Sequence, residues 1–282
     1  MVNLTDLSAR EAADTIESGE TSAQELAQPY LDRICTREGE IGAFEYLDPD
    51  YVIEQARRLD NGPRLGPLHG VPIGIKDTYD TFDMPTTYGS PIYEGNRPGA
   101  DASVVALCRA AGAVIVGKTV TTEFAYWRPG KTRNPSNPDH TPGGSSSGSA
   151  AAVADHMLPL AFGSQTAASF FRPAAFCGVY GYMVTRGGFD TRCLSPLAPT
   201  LDSPGLFTRS LGDIHLLRSV LVNDDPNPIP RPNDSMLRVG LVRTVHWDEA
   251  DAATRDIVED SATRLADNET MITETKKKNI NQ

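Results

Sequence analysis

Apolar residues recur at helical spacing from the first turns of the chain. Ala12, Ile16, Leu26, Tyr30 and Ile34 mark one face of two helices predicted within residues 8–34. Ser8-x-x-Glu11 and Ser22-x-x-Glu25 are capping boxes, and Gly19 sits where the first helix should stop. A third helix is predicted over 50–60. The Gly/Pro-rich link NGPRLGPLHG then leads to period-two alternation: Val71, Ile73 and Ile75 against Pro72, Gly74 and Lys76. This predicts a strand whose last residue, Lys76, leaves on the face of two small residues. Residues 79–100 read as a loop, Ser103 to Ala111 as a helix and Ala113 to Gly117 as a buried strand, so a βα alternation is under way. After a polar, proline-rich loop (128–142) comes a Gly/Ser-rich turn from Gly143. A helix is predicted to start in the Ala-rich segment 150–154, with a short buried strand over Leu158 to Phe162. A second polar turn centres on Ser169. A strand (Val179 to Val184), a loop running to Pro204 and a helix (Leu211 to Val222) complete this part. The proline-rich linker DDPNPIPRPND separates it from a last strand (Leu237 to Val242) and an amphipathic helix (Ala250 to Ala266). The final residues, NETMITETKKKNINQ, carry no periodicity and are expected to be disordered or foreign to the fold.

Composition narrows the function. In 282 residues the chain can bury a substantial core, and a net charge of -11 argues against a nucleic-acid partner, which needs a basic face. No apolar run approaches the roughly 18 residues of a membrane span, and the N-terminus lacks the basic and apolar regions of a signal peptide. Cys35, Cys108, Cys177 and Cys193 are widely spaced, without a CxxC pair, which suits reduced thiols in a cytoplasmic protein.

The chemistry-bearing residues cluster between Gly143 and Gly178. Two serine-bearing turns flank a helix and a strand that can fold them together. The second offers the backbone N–H groups of Thr166, Ala167, Ala168 and Ser169 to an oxyanion. A base has to come from elsewhere. His69, His140, His156, His215 and His246 stand in no metal spacing, and SxxK is absent. No metal or cofactor is expected. What remains is a serine activated by a lysine whose amine is kept neutral by burial. Lys76, ending an apolar strand beside small residues, fits better than Lys118, placed at a strand end, or Lys131, placed in a loop; a solvated surface cation is the plain alternative for it.

The segments GPLHGVPIGIKD, GGSSSGSAAAVA, QTAASFFRPAAFCGVYGY and LDSPGLF, in this order over most of residues 5–245, resemble the amidase signature family of serine amidohydrolases. The resemblance implies an α/β fold with a mixed central β-sheet flanked by helices, carried by residues 1–268, with 269–282 outside it. It implies a Ser–Ser–Lys triad. Ser169 is the nucleophile, Ser145 follows a cis peptide and relays the proton, and Lys76 is the base. The amides of Thr166 to Ser169 serve as oxyanion hole. The activity implied is hydrolysis of a small-molecule carboxamide C–N bond through an acyl-enzyme on Ser169.

Some features depart from the family pattern. Ala167 and Ala168 stand where two glycines are common; were either position to need positive φ, a methyl there would cost on the order of 1 kcal/mol. Gln165 replaces a common aspartate, and Arg172 lies one residue late; a subset of the family shares both. Family members are also much longer, so the chain is expected to be a C-terminally truncated form, incomplete in its sheet and prone to self-association through an uncovered face. Two alternatives accompany the hydrolase reading: a catalytically impaired remnant or interaction subunit, and a protein like the A subunit of the amidotransferases that act on acylated transfer RNA.

Overall fold

A computed structural model describes residues 3–227, 238–267 and 271–274. It divides into two compact units, Met1–Pro228 and Ile229–Gln282, parted within the proline-rich linker.

The first unit begins with α1 (Ala9–Ser18) and α2 (Ala23–Ile41). Both carry the expected capping boxes, and α1 stops at Gly19 in the left-handed conformation. Helix α3 (Pro49–Asp60) follows a short strand, β1 (Phe44–Leu47). The predicted βα alternation is then realised as β2 (Pro72–Lys76), α4 (Ser103–Ala110) and β3 (Val114–Thr119). Helix α5 (Ser147–Ala154) begins before the Ala-rich run, inside the Gly/Ser turn. Strand β4 (Leu160–Gln165) starts two residues later than predicted and runs three residues further. After α6 (Phe171–Cys177) come β5 (Tyr180–Met183), β6 (Ser203–Thr208) and α7 (Leu211–Val222).

Six strands form one mixed sheet in the order β1-β3-β2-β4-β6-β5. Strand β2 lies parallel to both β3 and β4, while β1, β6 and β5 run antiparallel to their neighbours. Strands β2, β3, β4 and β6 are buried along their whole length. Their alternating side chains therefore serve two cores. Ile73, Ile75, Ile115, Leu160 and Phe162 pack on one face with Val104, Val105, Leu216 and Leu217 from α4 and α7. Val114, Val116, Ala161 and Phe207 pack on the other with the alanines of α5 and residues of α2, α3 and α6.

Strand β1, helix α6 and strand β6 were not expected from the sequence. In α6 the Arg172-Pro173 pair suggests a turn, yet a proline in the first helical turn removes only an N–H that has no intrahelical acceptor. In β6, Pro204 and Gly205 mask a central strand. A Cβ at Gly205 would lie 2.6 Å from the ring of Phe170, so the missing side chain makes room for that ring.

In the second unit, β7 (Arg238–Leu241) pairs in parallel with β8 (Met271–Glu274), and α8 (Ala252–Asp267) lies between them in sequence. Residues 271–274 belong to the segment expected to be disordered or foreign; the rest of 269–282 lies outside the described residues. Among the described residues no helix is long and apolar enough to cross a membrane.

Candidate active site

Strand β2 carries Lys76 into the interior. The alternation that buries Ile73 and Ile75 on one face leaves Lys76 wholly inaccessible to solvent. Its Nζ lies 2.7 Å from Ser145 Oγ and 2.9 Å from Ser164 Oγ. Among the described residues no carboxylate pairs with it directly. Burial therefore dominates and lowers its pKa to about 7, while the more remote charge of Asp202 acts in the opposite direction. An amine with that value is half deprotonated near neutral pH.

The Gly/Ser turn delivers Ser145. The Gly144–Ser145 peptide is cis, and Gly143 before it has a φ of 77°, a conformation that glycine adopts without penalty. The remaining serines of the turn lie at the start of α5 and stitch it to the sheet. Ser146 Oγ donates to the Ser164 carbonyl and accepts from the Ser164 N–H, and Ser149 Oγ donates to the Phe162 carbonyl. Close approach is a second requirement of the segment: a Cβ at Gly148 would lie 2.2 Å from the Ala43 carbonyl oxygen.

The turn after β4 delivers Ser169. Ser146 N–H donates to the Ser169 carbonyl at 3.0 Å, which locks the two serine turns together. Gln165, at the end of β4, supports the far side. Its side-chain oxygen accepts from the N–H groups of Phe170 and Phe171, both at 3.1 Å, at the start of α6. Ala167 and Ala168 are not among the described residues with positive φ, so the strain that alanine would suffer there does not arise. No hydrogen bond is found, among the described residues, from the N–H groups of Thr166, Ala167, Ala168 and Ser169.

Both turns open on a cavity of about 500 Å³ lined by Ser145, Ser169 and the whole 166–169 segment. The proline-rich 128–142 loop supplies Pro129, Thr132 and Pro142 to its wall, and Tyr126, Trp127, Phe176 and Leu197 make much of the remainder apolar. Arg172 is the one charged side chain on the wall among the described residues.

Other candidates take other places. Lys118 lies at the end of β3, next to its last residue, where its Nζ is 2.9 Å from the Asp77 carboxylate, with both side chains fully buried. Lys131 is exposed. None of the five histidines lines the cavity. His156 faces Asp6 at 2.9 Å, His215 the Asn227 carbonyl, and His69 accepts from the Leu65 N–H. Among the described residues no group of three His, Cys, Asp or Glu side chains is arranged to hold a metal ion.

Sequence reasoning gave no role to Ser164 or Asp202. Ser164 lies beyond Phe162, where the predicted strand stopped, with no spacing to mark it. Asp202 stands in the LDSPGLF segment, where only its place beside a Pro-Gly pair was visible. In the structure its carboxylate accepts hydrogen bonds from Thr166 Oγ1 and from the N–H groups of Leu197 and Ala198.

A family model described as Amidase matches residues 25–282. The chain is 43% identical, over 267 residues, to the A subunit of glutamyl-tRNA(Gln) amidotransferase from Thermobifida fusca, a match covering 86% of this chain and 54% of that protein. It is 40% identical to the corresponding protein of Acidothermus cellulolyticus, over 95% of this chain and 58% of that one. Among solved structures, it is similar to the native peptide amidase of Stenotrophomonas maltophilia, with a TM-score of 0.84 and 28% identity, covering 96% of this chain and 62% of the other. The chain thus spans a little over half the length of these curated relatives.

Proposed function

The chain belongs to the amidase signature family, and from that membership we propose that it carries the machinery of a serine amidohydrolase, with Ser169 as nucleophile, Ser145 as relay and Lys76 as base. The observation that carries this reading is the buried Lys76 amine, 2.7 Å from Ser145 Oγ in a turn bonded to that of Ser169.

With Lys76 neutral, the 2.7 Å contact lets the Ser145 hydroxyl donate to the Nζ lone pair while its oxygen accepts the Ser169 proton. Ser169 Oγ then bonds to the carboxamide carbon, and the carbonyl oxygen gains a negative charge that the amides of Thr166, Ala167, Ala168 and Ser169 receive. Collapse breaks the C–N bond. The proton returns from Lys76 through Ser145 to the leaving nitrogen, which departs as ammonia or an amine. Water enters by the same proton route, releases a carboxylate and restores Ser169. The mostly apolar wall accommodates a small-molecule amide, and no step needs a metal or organic cofactor.

A second reading has its own support: curated relatives at 38–43% identity are named as an amidotransferase subunit. The same acylation would then release ammonia for transfer to an acceptor held by partner subunits. Co-purification with such subunits supports that branch. A third outcome is a folded chain without turnover, an impaired remnant.

The test of the shared chemistry is labelling by a fluorophosphonate, which needs an activated serine but little of a substrate pocket. Intact mass is expected to show one adduct, mapped to Ser169 and absent in Ser169→Ala. An unlabelled but cooperatively melting wild-type chain contradicts the proposal.

A further inference from the structure

The loop that enters β6 holds a carboxylate in a position that the proposed triad does not use. Asp202 bonds in two directions. One oxygen accepts from the hydroxyl of Thr166, the first residue of the nucleophile turn. The other accepts from the N–H groups of Leu197 and Ala198, each at 2.9 Å, and so closes the loop that places Leu197 on the cavity wall. Two sides of the cavity, the nucleophile turn and the 197–202 loop, are thereby tied to one side chain.

The charge of Asp202 has a second consequence. Around Lys76, β4 contributes the neutral hydroxyl of Ser164 and the cis turn that of Ser145. Strand β3 sets Thr119 opposite Lys76, and its Lys118, opposite Ile75, is paired with Asp77 at 2.9 Å. Tyr79, which follows β2, is fully buried, and burial pushes its phenol well above the usual range, so it stays neutral. Among the described residues Asp202 is the charge that acts on the lysine, and it favours the protonated amine against the effect of burial.

We propose that Asp202 is a positioning residue with two linked tasks: it ties the nucleophile turn to the 197–202 loop through Thr166, and its carboxylate serves as a remote counter-charge to Lys76. Without the charge, desolvation acts unopposed and the amine is a weaker base. With a carboxylate in direct contact, the amine would stay charged and have no lone pair to offer. A carboxylate bonded to Thr166 and making no direct pair with Lys76 acts between these limits.

This inference rests on the Ser–Ser–Lys reading, and one experiment separates the two. The rate of Ser169 labelling by a fluorophosphonate is measured against pH for wild type, Asp202→Asn, Asp202→Ser and Thr166→Val, each checked by circular-dichroism melting. Wild type is expected to label faster as pH rises through a single midpoint, and absence of labelling or of a pH-dependent limb sinks the triad reading itself. The two neutral variants are expected to label more slowly and to have midpoints moved to lower pH, by up to about one unit, because the protonated lysine loses its remote counter-charge. Thr166→Val removes the hydroxyl contact but keeps the carboxylate, so its rate should fall with the midpoint unmoved. If a folded neutral variant labels with the wild-type midpoint, Asp202 is only a structural tie and the proposal fails. Should both neutral variants fail to fold, Thr166→Val decides: a labelling rate equal to wild type at every pH overturns the positioning role.

Discussion

Burial of one amine carries the proposed chemistry at the scale of the residue. Lys76 is fully inaccessible, and its pKa falls to about 7 through desolvation. In the unfolded chain it titrates near the ordinary lysine value of about 10.4. Activity that needs the neutral amine should therefore rise with pH through about 7 rather than near the free-lysine value. Lys76→Met should remove this limb and lower Ser169 labelling by orders of magnitude, and a labelling-against-pH profile like that of wild type would refute the base assignment. The same shift governs stability. Between the two pKa values the unfolded state binds more protons than the folded one, so this group makes stability increase as pH rises from about 7 toward 10. Melting temperatures of Lys76→Met should lack that increment, which comparison with wild type across the window measures. Position 168 gives a second test. Because Ala168 does not occupy positive φ, glycine relieves no strain there and adds backbone freedom to the turn. Ala168→Gly should acylate no faster than wild type; a clear gain in single-turnover rate would show that the methyl obstructs the oxyanion.

Gln165 matters through the helix it caps, at the scale of the element. Helix α6 begins just after Ser169, and the Gln165 side chain receives the N–H groups of Phe170 and Phe171 in place of an ordinary capping residue. Gln165→Ala should cost about 0.5–2 kcal/mol, the range for a lost cap. It should also slow Ser169 labelling more than truncation of a surface residue of α6 does, read from denaturant melts and labelling rates together. This element also shows what the sequence can express. Helices α1, α2 and α7 were legible because their caps and apolar spacing are local signals, and α7 has the predicted bounds, Leu211–Val222. Strand β2 and Lys76 were legible because alternation placed a charge among apolar neighbours. Helix α6 and strand β6 were not, since Pro173, Pro204 and Gly205 look like breakers until their partners are known. Family motifs brought Lys76, Ser145 and Ser169 together. Ser164 and Asp202 make contacts with residues 88 and 36 positions away in sequence, which no local pattern encodes.

For the whole molecule, the sheet has a free end. Strand β5 is the last in the order β1-β3-β2-β4-β6-β5, so one row of its backbone groups has no neighbouring strand among the described residues. It is also poorly covered: Tyr180 on it is 49% exposed, and Phe171 and Phe176 of the adjoining α6 are 48% and 50% exposed. Edge strands of this kind are usually blunted by charge, proline or a bulge, and the sequence YGYM has none of the first two. Exposed aromatics beside unpaired backbone favour addition of another strand, and an antiparallel pair of identical edges is self-complementary. A second copy of this chain is therefore the expected occupant. The net charge of -11 opposes association over distances of about a Debye length, so added salt should strengthen it. Light scattering behind size exclusion should show a mass that grows with protein concentration and with salt. Tyr180→Lys, which places a charge on the edge, should return the chain to monomer while leaving its melt cooperative. A wild-type chain that stays monomeric across the concentration series, with or without salt, would show that the β5 edge is not used.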